Sequence, residues 1–157
     1  GIFIYDSIGV GAHTGATLKE HGKKNYAKFN AGATVHEPNK EYAPKIKNKD
    51  KFENLKAQAW QDVADRFRNT FNAVNKGMKF KASELISISA DIPNLDGLKT
   101  ELCSPHKDYS KRGLDMVESK KDMKKRDIKS PNRADAFIMG ACPHLVKRDR
   151  SRLNIDG

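Results

Sequence analysis

Apolar residues recur with helical spacing through one long stretch of this chain. Phe52, Leu55, Ala59, Trp60, Val63, Phe67 and Phe71 fall on one face of a 3.6-residue repeat. They predict a helix over 52–73, turned with that stripe to the core and ended by Asn75-Lys76-Gly77. A different pattern opens the chain. Ile2-Phe3-Ile4-Tyr5 is a continuous apolar run that stops at Asp6-Ser7-Ile8-Gly9-Val10-Gly11. Such a run predicts a fully buried strand of an α/β sheet. A central strand in first place suggests a piece of something larger.

The remaining elements are shorter. A helix is predicted over 12–20, stopping at His21-Gly22. Short strands are predicted over 29–35, 78–80 and 114–118, while 85–88 fits strand or helix equally. Leu95, Leu98 and Leu102 predict a short amphipathic helix. Residues 37–50, lysine-rich with Pro38 and Pro44, read as a long surface loop, and 104–113 as turn. Ser130-Pro131 predicts the start of the last helix, with a serine cap oxygen and proline at the first helical position. Ala134 to Ala141 forms its body and Pro143 ends it. Residues 144–157 carry Lys147, Arg148, Arg150 and Arg152 and little apolar surface, which predicts a basic tail unable to order itself. The organisation expected is one domain over 1–143 and the tail over 144–157.

Composition narrows the class. A chain of 157 residues can bury one core. With 37% hydrophobic and 32% charged residues it reads as a polar globular domain rather than a disordered one. The net charge of +10 favours phosphate-rich partners. No apolar stretch reaches the length of a membrane span, so no membrane partner is expected. Cys103 and Cys142 lack CxxC or Cys/His clustering and read as two free thiols of a reducing compartment. The chain has no G-x-x-x-x-G-K-[ST] phosphate loop, so a motor ATPase is not on it.

Two acids stand out by position. Asp6 ends the first strand, and ligands collect at the carboxyl ends of strands in α/β folds. Asp135 falls in the first turns of the last helix. Taken alone, Asp6 reads as a helix N-cap and Asp135 as an acid favoured by the helix dipole. Together they can hold a hard cation, since Mg²⁺ accepts few carboxylates and keeps several waters. A dense cationic run lies just before Asp135. Residues 120–133 hold Lys120, Lys121, Lys124, Lys125, Arg126, Lys129 and Arg133 against Asp122 and Asp127, seven minus two, or half the net charge. These side chains suit contacts to a nucleic-acid backbone, which neutralise phosphates without reading bases. Asp122 and Asp127 read as local charge balance. His13 is near Asp6 in sequence but reads as a surface residue, and no Ser/His/Asp spacing is present.

Residues 118–139, Glu118-Ser119-Lys120-Lys121-Asp122-Met123-Lys124-Lys125-Arg126-Asp127-Ile128-Lys129-Ser130-Pro131-Asn132-Arg133-Ala134-Asp135-Ala136-Phe137-Ile138-Met139, closely resemble the C-terminal motif of the nuclease domain of tailed-phage terminase large subunits. Asp6-Ser7-Ile8-Gly9-Val10-Gly11-Ala12 resembles the segment that follows a central strand in those domains. Asn54-Leu55-Lys56-Ala57-Gln58-Ala59-Trp60 resembles the helix found next, and Asp91-Ile92-Pro93 and Glu101-Leu102 fall where comparable motifs lie. The segments stand in the family's order and span most of the chain.

The resemblance implies an α/β, ribonuclease H-like nuclease domain, N-terminally incomplete, with helices packed on a mixed sheet from the central strand onward. It implies a metal-binding acidic triad in which Asp6 matches the second acid and Asp135 the third; the first would lie upstream of this chain. The implied activity is two-metal-ion cleavage of double-stranded DNA with Mg²⁺ or Mn²⁺, the ions about 4 Å apart. The implied partners are double-stranded DNA, the ATPase domain of the same protein, a terminase small subunit and a portal or procapsid, with the tail contributing to docking. The implied setting is the cytoplasm of an infected or lysogenic bacterial host. Two alternatives stay open: a non-catalytic DNA-binding or assembly remnant of a prophage terminase, and a resolvase-like nuclease of the same fold.

Overall fold

The computed structural model describes residues 1–146, with Gly9 and Val10 described in backbone only. The opening apolar run forms β1 (Phe3–Asp6). A 3-10 turn over Gly9–His13 leads into α1 (Thr14–Glu20), and the chain returns as β2 (Tyr26–Phe29), parallel to β1 with Asp6 opposite Phe29. Gly11 is required here: a Cβ on it would sit 1.7 Å from the Asp6 carbonyl oxygen, so only glycine lets the turn fold back on the strand end.

Three expectations for this region change. β1 is not fully buried, since Phe3 is 55% exposed. The second strand is 26–29 rather than 29–35, because Tyr26, Ala27 and Phe29 supply the buried side chains. The loop expected over 37–50 is a compact hairpin, β3 (Glu41–Ala43) against β4 (Ile46–Lys47), followed by one turn of helix, α2 (Asn48–Lys51).

The long helix is α3 (Leu55–Lys76). Phe52 precedes it in extended conformation, and Asn54 caps it, accepting a hydrogen bond from the Ala57 amide at 2.9 Å. Gly77 ends it with φ 64°. Leu55, Ala59 and Val63 are buried and Phe67 is half-buried, but Phe71 is 59% exposed: the apolar stripe outruns the core. Residues 78–80 and 85–88 form no strand; they run as coil on either side of a 3-10 turn at Ala82–Glu84. α4 (Leu95–Cys103) is where the leucine spacing placed it.

The segment 104–113 is not all turn. β5 (Lys107–Tyr109) pairs antiparallel with β6 (Asp115–Val117). Asp115 pins this hairpin to the rest of the fold. Its carboxylate pairs with Lys51 and Lys107, each at 2.9 Å. Burial opposes its ionisation, but hydrogen bonds from the two lysines outweigh that and hold the carboxyl below its ordinary range. The cationic run then folds as α5 (Lys120–Lys125), capped by Ser119, whose hydroxyl accepts from the Asp122 amide at 3.1 Å. Last comes α6 (Asn132–Ala141).

The core joins β2, α3 and α6: Ala27, Phe29, Leu55, Ala59, Val63, Ile138 and Cys142 pack together. Leu145 and Val146 belong to the same cluster. These two aliphatic side chains, in the stretch expected as tail, are apolar enough to bury. The tail cations Lys147, Arg148, Arg150 and Arg152 lie outside the described residues. The fold is α/β as expected, but among the described residues its strands form three separate two-stranded sheets rather than one mixed sheet. No described helix is long and apolar enough to cross a membrane.

Candidate metal and nucleic-acid site

Asp6 and Asp135 arrive at one place from opposite ends of the chain. Asp6 is carried to the carboxyl end of β1 by the parallel pairing with β2, and Ser7 anchors that end through its amide to the Phe29 carbonyl at 2.9 Å. One Asp6 carboxylate oxygen accepts from the Ile8 amide at 2.9 Å, a local turn that fixes the side chain at the strand end. Asp135 sits in the first turn of α6, where the helix dipole favours a carboxylate. Both line a cavity of about 250 Å³ walled by Phe29, Trp60, Ile138 and Met139 and flanked by Lys56 and Lys120.

The start of α6 is built differently from its sequence signal. Ser130 does not cap it; its hydroxyl donates to the Asn132 side chain at 2.8 Å. Glu101, from α4, accepts from the backbone amides of Arg133 at 2.7 Å and Ala134 at 3.2 Å. This carboxylate satisfies two of the orphan donors of the helix. It fixes the turn that presents Asp135.

Asp135 is bracketed by two lysines. Lys56 lies 3.4 Å from one carboxylate oxygen and Lys120 lies 3.2 Å from the other. Lys120 starts α5, half-exposed, whereas Lys56 comes from the first turn of α3 and is 20% exposed. Sequence reasoning singled out Lys120 but not Lys56. A signal did exist: a lysine in a helix's first turn, with no acid there, sits against the dipole.

The other basic residues divide. Lys121, Lys124 and Lys129 are exposed and form no ion pair among the described residues. Lys125 pairs with Asp122 at 2.7 Å, which bears the charge-balancing reading of Asp122. Arg126 is committed inward: its guanidinium pairs with Glu118 and donates to the Ser104 carbonyl at 3.0 Å. Glu118 is 7% exposed, and the Arg126 hydrogen bonds, helped by the His106 amide, hold its carboxyl below the usual range. Arg126 is thus a structural ion pair joining β6, α5 and α4 as much as a surface cation. Arg133 is exposed on α6, and its guanidinium lies over Gly97. Asp127 takes φ 56° just past the end of α5 and forms no ion pair among the described residues. His13 is exposed and does not line the cavity.

Among the described residues no group of three or more His, Cys, Asp or Glu side chains is placed to hold a metal. The donor set on hand is two carboxylates on a cavity open to water. That set fits Mg²⁺ or Mn²⁺, which bind through one or two carboxylates and retain waters.

Comparison with solved structures agrees with the family resemblance. The nuclease domain of the large terminase subunit gp2 of bacterial virus Sf6 superposes with a TM-score of 0.81 at 27% identity, over 89% of this chain. A lysine-to-alanine variant of that domain with manganese and beta-thujaplicinol gives 0.81 at 28%, and a variant with manganese alone gives 0.80 at 28%. The chain is similar in fold and sequence to a terminase nuclease domain. It spans just under two thirds of the length of those domains, 64% of the first. A further structure of the Sf6 terminase domain contains calcium. No protein-family model and no curated protein matches the chain.

Proposed function

We propose that this chain is the metal-dependent endonuclease domain of a phage DNA-packaging terminase large subunit, with a ribonuclease H-like fold, and that it cuts double-stranded DNA. One observation carries the reading: Asp6 and Asp135, 129 positions apart in sequence, line one cavity on a chain whose structural counterparts include manganese-containing and calcium-containing terminase nuclease domains. Asp6 and Asp135 would hold Mg²⁺ or Mn²⁺. The bound cation would polarise a phosphodiester oxygen and lower the pKa of a bound water, in the manner of two-metal nucleases. Lys120, Lys121, Lys124, Lys125, Lys129 and Arg133, with Arg126 from the structural side, hold the duplex by its backbone. Glu101 keeps the first turn of α6 in place, and Phe29, Trp60 and Ile138 form the apolar wall of the cavity. The partners that go with this reading are the ATPase domain, a terminase small subunit and a portal or procapsid, in the cytoplasm of a bacterial host.

The test is linearisation of supercoiled plasmid with Mn²⁺ or Mg²⁺, beside thermal melts with and without the ions. The expected result is an ion-dependent rise in Tm, lost in Asp6→Asn and Asp135→Asn, and divalent-dependent cutting once the upstream strand with the first acid is supplied. Salt-sensitive DNA binding with neither cutting nor ion-dependent stabilisation would favour the non-catalytic remnant instead.

A further inference from the structure

Lys56 is a partly buried cation in an unfavourable place. It lies in the first turn of α3, where the helix dipole repels positive charge and no acid is present. Its side chain is 20% exposed, its ammonium lies 5.9 Å from the centroid of the Trp60 ring, and its only ion pair among the described residues is Asp135 at 3.4 Å. Its backbone is fixed as well, the Lys56 amide donating to the Ala31 carbonyl at 3.0 Å. Lys120 approaches the second oxygen of the same carboxylate from α5. The two lysines therefore flank Asp135 from different elements and line the same cavity as Asp6.

We infer that Lys56 is an exchangeable counter-charge of the site: it holds Asp135 in place until a divalent cation is bound, and is then released to pair with a phosphate of the DNA backbone. The inference rests on the proposed metal site. Its basis is electrostatic. Asp135 cannot be the full partner of Lys56 and of a divalent cation at once. Once Asp135 is committed to the ion, Lys56, its side chain only 20% exposed, stands beside a positive centre, and its charge calls for a new anion. A phosphate oxygen drawn to the same centre supplies it. Trp60 supports the lysine stem and head throughout, as an aromatic face does for an ammonium. Lys56 is in this sense a positioning residue for Asp135 and a binding residue for DNA, not a proton donor or nucleophile.

The experiment compares the wild-type chain with Lys56→Gln, which keeps length and a hydrogen-bond donor but removes the charge. Mn²⁺ binding is measured by calorimetry without DNA. Lys56→Gln is expected to bind Mn²⁺ about tenfold more tightly, a modest share of what one neighbouring charge can contribute. A substitution that merely loosened the fold would weaken binding instead. Duplex affinity is then measured against salt, with Ca²⁺ and with EDTA. With Ca²⁺ the slope of log affinity against log salt should be shallower in Lys56→Gln by about 0.9, one phosphate contact. In EDTA the two slopes should agree, because Asp135 then retains the lysine. Wild-type binding of Mn²⁺ with unchanged or weaker affinity in Lys56→Gln overturns this inference alone, as does an equal slope difference in Ca²⁺ and EDTA. No Mn²⁺ binding by the wild-type chain overturns the metal site and this inference with it. Lys56→Arg, which keeps the charge, should restore wild-type values in both measurements.

Discussion

Cys142 shows how far a residue's surroundings alter its chemistry. It is fully buried, with its sulfur 3.7 Å from the Ala59 carbonyl and 3.5 Å from an Asp62 carboxylate oxygen. Burial, and then the negative charge of Asp62, push its thiol up to about 12. Cys103 is exposed. A thiol reagent at neutral pH should therefore modify one cysteine in the native chain and two in denaturant; two fast-reacting thiols in the native chain would contradict the burial. The linkage has a definite sign. Below the unfolded thiol's pKa of about 8.5 both states keep the proton. As pH rises from there towards 12, the unfolded thiol ionises first and stability falls. Cys142→Ala should flatten that alkaline decline in denaturant titrations. From sequence, the absence of any pairing motif correctly gave free thiols, but nothing local distinguished the buried one. The same limit applies to the site. The meeting of Asp6 and Asp135 at one cavity was legible because a strand end and a helix start are positional signals reinforced by the family motifs. Lys56 was not, because a lysine among many lysines becomes informative only when its partner is visible.

At the scale of elements, Glu101 decides where α6 begins. It gives one carboxylate oxygen to the amides of Arg133 and Ala134, replacing the serine cap that the local sequence announced. Capping side chains are typically worth about 1 kcal/mol. Glu101→Ala should lower stability by about that much in urea titrations, and Mn²⁺ affinity should fall with it, because Asp135 lies one residue past the second capped amide. Loss of stability with unchanged metal affinity would separate the cap from the site. A cap supplied from 32 residues away in sequence has no local signature, which is why Ser130-Pro131 marked the helix start but not its cause. The long helix was legible for the opposite reason: its period repeats over many turns. The hairpin at 41–47 was not, since its strands are two and three residues long and its left-handed position is Lys45, φ 64°, rather than the glycine or asparagine that marks such turns.

For the whole molecule, charge and core pull the chain ends in different directions. Half of the +10 charge lies in residues 120–133 and suits a polyanion, while Leu145 and Val146, after α6, return to the core. Leu145 is 7% exposed and Val146 is 8% exposed, both packed into the cluster that holds α3, β2 and α6 together. His144 lies 3.6 Å from Asp62, whose carboxyl is held below its ordinary range: burial opposes ionisation, and the neighbouring His144 imidazole and the Arg66 charge more than offset it. Two truncations separate the core from the sequence beyond it. Ending the chain after Val146 keeps every described contact and should leave the denaturation midpoint near the wild-type value. Ending it after Cys142 removes two buried aliphatic side chains, each worth about 1.5–3 kcal/mol, and the His144 contact. Against a total stability of roughly 5–15 kcal/mol for a domain, that loss should lower the midpoint sharply and raise the fraction unfolded at 37 °C. Equal midpoints for the two truncations would mean that Leu145 and Val146 contribute nothing to the core and that the domain closes at Pro143.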